Sequence, residues 1–177
     1  ACRQGLGWSL DEFEARWREA AIERWSRAAQ GIEETLRTRS DAVAKGDLAA
    51  FLATVNSANS TLLVEQRHWL ERALERPPLH YSEAGSLVEL DGDRALVSLM
   101  VRVQGPDRGS LTEVTYTVRF VRRDGRWLYD DVDFQAYSSP HFTLLCETHA
   151  PAGDEQAASL LSTAERAWEM LRADWPA

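Results

Sequence analysis

The stretch Arg122-Arg123-Asp124-Gly125-Arg126-Trp127-Leu128 contains a strong local signal for the fold. An Asp-Gly pair between alternating apolar residues is a strong signal for a two-residue β-hairpin turn, because the central residues of that turn adopt positive φ angles. The pair Asp124-Gly125 therefore predicts that the segments on either side of it are neighbouring antiparallel strands.

A second Asp-Gly pair, Asp91-Gly92, predicts another hairpin upstream. Around both turns the apolar residues recur with a period of two, which is typical of strands with one buried face. We therefore predict an antiparallel meander and one further strand. The predicted strands cover residues 79–90, 94–104, 111–122, 127–137 and 141–148.

The residues before the meander indicate helices. Apolar side chains recur at spacings of three and four over residues 10–45, which predicts one amphipathic helix with Gly31 as a candidate break. Gly46 ends this helix and Asp47 caps a short second one. A third helix is predicted at about 60–75, stopped by two prolines, and a last one at about 155–173.

These elements predict an α+β fold. N-terminal helices pack on a strongly twisted, cone-like antiparallel sheet, and a strand-helix extension follows at the C-terminal end. We expect residues 1–138 to form the main part and residues 139–177 an appendage.

Composition excludes several function classes. The chain has 177 residues and a formal net charge of -8, and nucleic-acid binding needs a basic surface, so we expect no nucleic-acid partner. The sequence contains no glycine-rich phosphate loop, no metal-ligand motif and no cofactor motif. His141 and His149 would share one face of a strand while Cys146 points the other way, so we expect no metal there.

The two cysteines are Cys2 and Cys146, and one disulfide is arithmetically possible. The start Ala1-Cys2 resembles the cleavage junction of a bacterial lipoprotein. This resemblance makes Cys2 a lipidation candidate. It implies an extracytoplasmic domain that touches a bacterial membrane only through a lipid anchor. The alternative is that the chain begins at this point for an unrelated reason.

Two details resemble the nuclear transport factor 2-like superfamily, which is also called ketosteroid isomerase-like or cystatin-like. Ala44-Lys45-Gly46-Asp47-Leu48 precedes a short helix, and Trp127 follows a charged Asp-Gly hairpin. The resemblance covers roughly residues 30–138 and implies a cone-shaped α+β fold. That fold hosts enzymes, binding modules and assembly domains, so it does not by itself imply an activity.

The C-terminal segment has a weaker resemblance. A strand, a Pro-Gly-Asp turn and a helix with Ala164-Glu165-Arg166-Ala167-Trp168 resemble the first part of a gluzincin-type metallopeptidase domain. None of the histidines stands in a His-Glu-x-x-His motif. The resemblance implies the front part of a longer peptidase-like protein, or a relic of one.

Four residues are candidates for a pocket. Counting back from the Asp124-Gly125 turn places Tyr116 opposite Asp133 and Val118 opposite Asp131, with Tyr129 on the same face. Carboxylates beside aromatic rings resemble the lining of a cone pocket, where burial tunes a general base. The alternative is that both aspartates reach solvent or pair with arginine.

Three functions follow as hypotheses. The first is a non-catalytic extracytoplasmic domain that binds a small apolar ligand or a protein partner, as an accessory part of a peptidase-like lipoprotein. The second is an isomerase or cyclase with Asp131 or Asp133 as base and Tyr116 or Tyr129 as oxyanion donor. The third is a structural module that forms a homodimer through an open sheet face.

Overall fold

The computed structural model describes residues 9–107, 109–147 and 153–174, and the α+β class is confirmed. Its helices are α1 (Leu10–Lys45), α2 (Leu48–Leu52), α3 (Ser60–Glu75) and α4 (Gly153–Asp174). Its strands are β1 (His80–Asp91), β2 (Arg94–Gln104), β3 (Thr112–Arg123), β4 (Arg126–Val132), β5 (Phe134–Ser138) and β6 (Thr143–Glu147).

Helix α1 runs for 36 residues between two well-formed caps. Ser9 and Glu12 form a capping box at its start, and Gly46 ends it in the left-handed conformation with φ 68°. The predicted break at Gly31 is wrong, because the helix continues through this residue. Gly31 serves packing instead: a Cβ atom there would lie 2.7 Å from Cδ1 of Trp127.

The first four strands form an antiparallel meander in the order β1-β2-β3-β4. The predicted hairpin at Asp124-Gly125 is confirmed, with both residues at positive φ (50° and 78°). On its other side, β4 is flanked by the segment after α2. The Asn56 N–H donates to the Tyr129 carbonyl, and the Tyr129 N–H donates to the Thr54 carbonyl.

The strand predicted over 127–137 is divided, which corrects that prediction. Strand β4 ends at Val132, the Asp133 N–H donates to the Thr117 carbonyl, and the next residues join a second sheet. That sheet pairs β5 with β6 in antiparallel fashion. It therefore spans residue 138, where we predicted a boundary between the main part and the appendage.

The core lies between the second half of α1 and one face of the meander, called here the inner face. Helix α1 contributes Ala28, Ile32 and Leu36 to this cluster, and residues 10–27 of the helix contribute none. The sheet contributes the side chains that point toward the helix. These are Ala95, Val97, Leu99, Val118, Phe120, Trp127 and Tyr129.

Replacing Gly31 with alanine tests the packing of Trp127 against α1. The helical preference of alanine over glycine favours the variant by about 1 kcal/mol. Overpacking a rigid, buried indole costs about 1–3 kcal/mol. We expect Gly31→Ala to lower the free energy of unfolding by about 1 kcal/mol in urea denaturation.

Gly105→Ala is the matched control, because nothing lies within 4 Å of a Cβ atom at that position. This control should change stability by less than about 0.5 kcal/mol. A Gly31→Ala protein more stable than the parent would show that Trp127 does not need the space.

Candidate ligand-binding cleft

A buried arginine stands at the centre of the fold. Arg39 lies on α1 and only 3% of its surface is exposed. Its Nε donates to Oε2 of Glu83 at 2.8 Å. Its Nη2 donates to Oε1 of Gln66 at 2.8 Å, and its Nη1 donates to Oγ1 of Thr54 at 3.3 Å. One guanidinium therefore connects α1 with β1, α3 and the end of α2.

Two aromatic rings flank the same guanidinium. Its central carbon lies 4.3 Å from the ring centroid of Phe51 and 4.5 Å from that of Tyr129. Cations are attracted to the faces of aromatic rings, and the attraction grows when water is excluded. Burial opposes the charge on Arg39 and is the largest single effect on its pKa, but Glu83 together with Tyr81 and Tyr129 outweighs it. The pKa of Arg39 is therefore raised, and the residue stays protonated.

The Glu83 carboxylate, the partner of Arg39, also has a hydrogen-bond partner on each oxygen. The Glu83 side chain is buried, and its second oxygen, Oε1, accepts a 2.5 Å hydrogen bond from the Tyr81 hydroxyl. The Glu83 backbone N–H donates to Oγ of Ser40 on α1. Within the described residues, no buried side-chain polar atom lacks a hydrogen-bond partner. The pair is thus a satisfied network and not an exposed reactive charge.

A cleft of about 420 Å³ lies over this network. Arg39 and Glu83 form its polar floor, and three phenol rings line it. The tyrosines are Tyr81, Tyr116 and Tyr129. The remaining walls are mostly apolar. They consist of Trp69, Val101, Val114, Val132 and Phe134, together with Gln66.

The buried tyrosines are neutral at physiological pH. Burial raises the pKa of Tyr81 well above its ordinary value, and the neighbouring Glu83 carboxylate raises it further. Burial and the nearby Tyr116 raise the pKa of Tyr129 in the same way. The cleft therefore exposes protonated tyrosine hydroxyl groups to a ligand. They lie next to a floor in which the charges of Arg39 and Glu83 cancel.

The structure separates the four predicted pocket residues into two groups. Tyr116 and Tyr129 line the cleft, whereas Asp131 and Asp133 do not. The predicted pairs of Tyr116 with Asp133 and Val118 with Asp131 are wrong. Val118 pairs with Val132, and Asp131 pairs with Arg119.

A β-bulge between β3 and β4 causes this difference. The register shifts at Arg119/Phe120, and Asp130 is the extra residue. Asn56 donates to the Asp130 carboxylate and Asn59 to the Asp130 carbonyl, so the loop before α3 fixes the bulge. A shift of one residue moves every later side chain to the other face.

The two aspartates lie beside a different groove. Arg119 lies 3.4 Å from Asp131 and 3.7 Å from Asp133, measured between nitrogen and oxygen. This acidic groove has a volume of about 660 Å³ and also involves Glu89 and Asp91. Asp131 and Asp133 therefore pair with arginine, as the alternative interpretation of the sequence expected.

Arg39 and Glu83 are not among the residues predicted from the sequence. Arg39 occupies the apolar stripe of α1, seven residues after Ile32 and four before Val43, where a charged residue is out of place. Glu83 alternates with Tyr81 and Gly85 on the inward side of β1. In both elements, a single charged residue within a pattern of buried positions is the sequence signal that could have indicated this ion pair.

A second polar cluster attaches α4 to the start of the β5–β6 connection. Oε1 of Glu165 accepts hydrogen bonds from Oγ of Ser139 at 2.6 Å and from the His141 N–H at 2.9 Å. Nδ1 of His141 lies 2.7 Å from Oε2 of Glu165, and its ring lies 5.2 Å from that of Trp168. These hydrogen bonds lower the pKa of Glu165 to about 2.

Other predicted features can be placed only in part. Cys2 and His149 lie outside the described residues. Over the described ranges, no group of three or more histidine, cysteine or acidic side chains is arranged to hold a metal ion. In the same part of the chain, no helix combines the length and the apolar character needed to cross a bilayer.

Comparison with known proteins adds a likeness of fold. No protein-family model matches the chain, and no curated protein matches it significantly. The solution structure of a SEC-C motif containing protein from Rhodopseudomonas palustris is 22% identical, with a TM-score of 0.41 over 55% of this chain and 73% of that chain. The crystal structure of a putative calcium/calmodulin dependent protein kinase II association domain from Xanthomonas campestris is 15% identical, with a TM-score of 0.41 over 60% and 84%.

A double-mutant cycle tests the Arg39–Glu83 pair. Removing one partner leaves the other charge buried and unpaired. Arg39→Met and Glu83→Leu should therefore each lower the free energy of unfolding by about 3–5 kcal/mol. The double variant should be much less destabilised than the sum, because no buried charge remains. Urea denaturation measures all three.

The exposed pair Arg102–Glu113, about half accessible on each side, is the matched control. Its removal should cost less than about 1 kcal/mol. Additive losses at Arg39 and Glu83 would mean that the two charges do not depend on each other.

The Glu165 cluster predicts an acid-dependent attachment of α4. Because the folded pKa is lowered from 4.5 to about 2, this carboxylate stabilises the contact above pH 4.5, and the contribution is lost as pH falls toward 2. Carbon-13 NMR of the Glu165 carboxyl should show the low pKa, and Ser139→Ala should raise it. Thr163→Ala, which removes a hydroxyl bonded to the Ser159 carbonyl, should leave it unchanged. A Glu165 pKa near 4.5 in the parent protein would contradict the attachment.

Proposed function

We propose that this chain is a non-catalytic binding domain whose cleft takes a small, largely apolar ligand that carries a hydrogen-bonding group. The observation that carries the proposal is the closed network on the cleft floor. Both oxygens of Glu83 already accept hydrogen bonds, from Arg39 and from Tyr81. A general base must reach the substrate proton with an available oxygen, and each oxygen of this carboxylate is already held by a neighbouring side chain.

The shape and lining of the cleft are consistent with a small-molecule ligand. Its volume of about 420 Å³ lies in the range of ordinary ligand sites, which are mostly apolar with a few polar groups that fix orientation. Trp69 and the neighbouring valines supply apolar contact. The neutral phenols of Tyr81 and Tyr129 and the hydroxyl of Tyr116 supply polar groups.

The isomerase or cyclase alternative has less support. It places Asp131 or Asp133 in the same pocket as Tyr116 or Tyr129, but both aspartates lie beside Arg119 and outside the cleft. We therefore favour binding over proton transfer. A protein segment in place of a small molecule is the remaining alternative for the occupant.

We also propose a cellular location for this binding domain. The resemblance at residues 30–138 supports a nuclear transport factor 2-like binding module. The Ala1-Cys2 junction supports lipid attachment outside the cytoplasm, and the C-terminal resemblance supports an accessory role in a peptidase-like protein. Mass spectrometry of the membrane fraction from cells expressing the natural gene tests this part. An unmodified Cys2 in that fraction would contradict the anchor.

A binding experiment tests the cleft directly. The probe is 1-anilinonaphthalene-8-sulfonate, which combines an apolar ring system with a polar group and fluoresces when shielded from water. We expect saturable binding to the parent protein. Val114→Trp fills the cleft and should weaken binding at least tenfold, about 1.4 kcal/mol.

The matched control is Val88→Trp, because Val88 and Val114 are equally exposed (52% and 50%) but only Val114 lines the cleft. This variant should bind the probe as the parent does. Equal loss in both variants, or no saturable binding to the parent, would contradict a ligand cleft.

A further inference from the structure

The two halves of helix α1 share one apolar stripe, but only the second half packs on the sheet. From Ala28 onward its apolar stripe packs on the sheet, but residues 10–27 contain no buried side chain. At 1.5 Å per residue, this first half extends about 27 Å beyond the core. The exposed face of this half carries four large apolar side chains. They are Leu10, Phe13, Trp17 and Trp25, which are 41–66% exposed.

The exposed residues continue the buried stripe in phase. Leu10, Phe13, Trp17, Ala21, Trp25 and Ala28 follow at spacings of three or four, and Ile32 and Leu36 extend the same row into the core. One side of a helix with this period is suited to contact with another apolar surface. Four large apolar side chains on one such row form a patch of the kind that marks an interaction site.

We propose that a second copy of this chain covers this face, with the two α1 helices packed antiparallel about a twofold axis. A twofold interface must be complementary to itself, and this face meets that condition. The small Ala21 lies one turn from the large Trp17. With the twofold axis between these positions, Trp17 of each copy packs over Ala21 of the other.

The order of charges along the half-helix supports the antiparallel direction. Its first turns carry Asp11, Glu12 and Glu14. Its last turns carry Arg24 and Arg27 with one acidic residue, Glu23, which pairs with Arg27. An antiparallel partner places acidic turns beside basic ones, whereas a parallel partner in register places like charges together. Among the described residues, neither Glu14 nor Arg24 forms an ion pair, so both remain available to a partner.

This inference is independent of the proposed ligand. Arg39, on the cleft floor, lies twelve residues beyond Arg27, about 18 Å along the helix axis. Loss of the dimer should therefore leave probe binding in the cleft intact, and a filled cleft should leave the dimer intact. The two proposals can fail separately.

Sedimentation equilibrium of the full chain over a wide concentration range tests the dimer. We expect the parent protein to dimerise. Trp17→Glu should weaken dimerisation at least about thirtyfold, the effect of losing a buried aromatic anchor. Ile22→Glu is the matched control, because Ile22 is equally exposed (61% against 66% for Trp17) but lies about 100° around the helix from Ala21.

A charge exchange tests the direction of the helices. Glu14→Arg and Arg24→Glu should each weaken dimerisation several-fold, and the double variant should restore it. Circular dichroism checks that each variant keeps its helix content. A parent protein that is monomeric at every concentration overturns the proposal, as does an Ile22→Glu variant as weak as Trp17→Glu. A double variant weaker than both single variants overturns the antiparallel arrangement.

Discussion

The ion pair between Arg39 and Glu83 is the interaction on which the rest of the structure depends. Arginine cannot lose its proton under ordinary conditions, so a buried guanidinium must find partners for its charge and its N–H groups. Those partners come from four different elements: Glu83 on β1, Gln66 on α3, Thr54 after α2, and the ring of Tyr129 on β4. Each must lie within hydrogen-bond or ring-contact distance, so the position of Arg39 on α1 fixes how the helices sit on the sheet. An apolar residue at this site would pack in several ways, whereas the guanidinium accepts few.

The same network determines the chemistry of the cleft above it. A floor made of two opposite charges has little net charge, and each nitrogen of its guanidinium and each oxygen of its carboxylate already has a partner within the protein. What remains for a ligand is apolar wall and neutral phenol. The fold places a cleft here, and the proposal of binding without catalysis rests on the residues at its base. Fold and function are thus separate conclusions, drawn from different residues.

Most of the fold was predictable from local patterns, and most of the site was not. Asp124-Gly125 and the period of two predict the meander because turn chemistry and alternation act over a few residues. The bulge at Asp130 is fixed by Asn56 and Asn59, more than seventy positions away in sequence, and no local pattern reveals it. This one extra residue moved Asp131 and Asp133 off the cleft face. The break predicted at Gly31 is wrong for a related reason, since the space that this glycine provides is used by Trp127, which is distant in sequence. The stripe of α1 was correctly predicted over its whole length, but periodicity does not show which half meets the sheet.

Arg39 is a rigid, protonated centre in which each of the three guanidinium nitrogens donates a hydrogen bond. Nitrogen-15 NMR of the arginine side chains tests this claim most directly through exchange of the Nε–H protons with water. We predict one strongly protected Nε–H signal, assigned to Arg39 by substitution, that persists at a pH where the signal of the exposed Arg102 has disappeared. An Arg39 Nε–H that exchanges as fast as that of Arg102 would contradict the buried network and the interpretation of the cleft that rests on it.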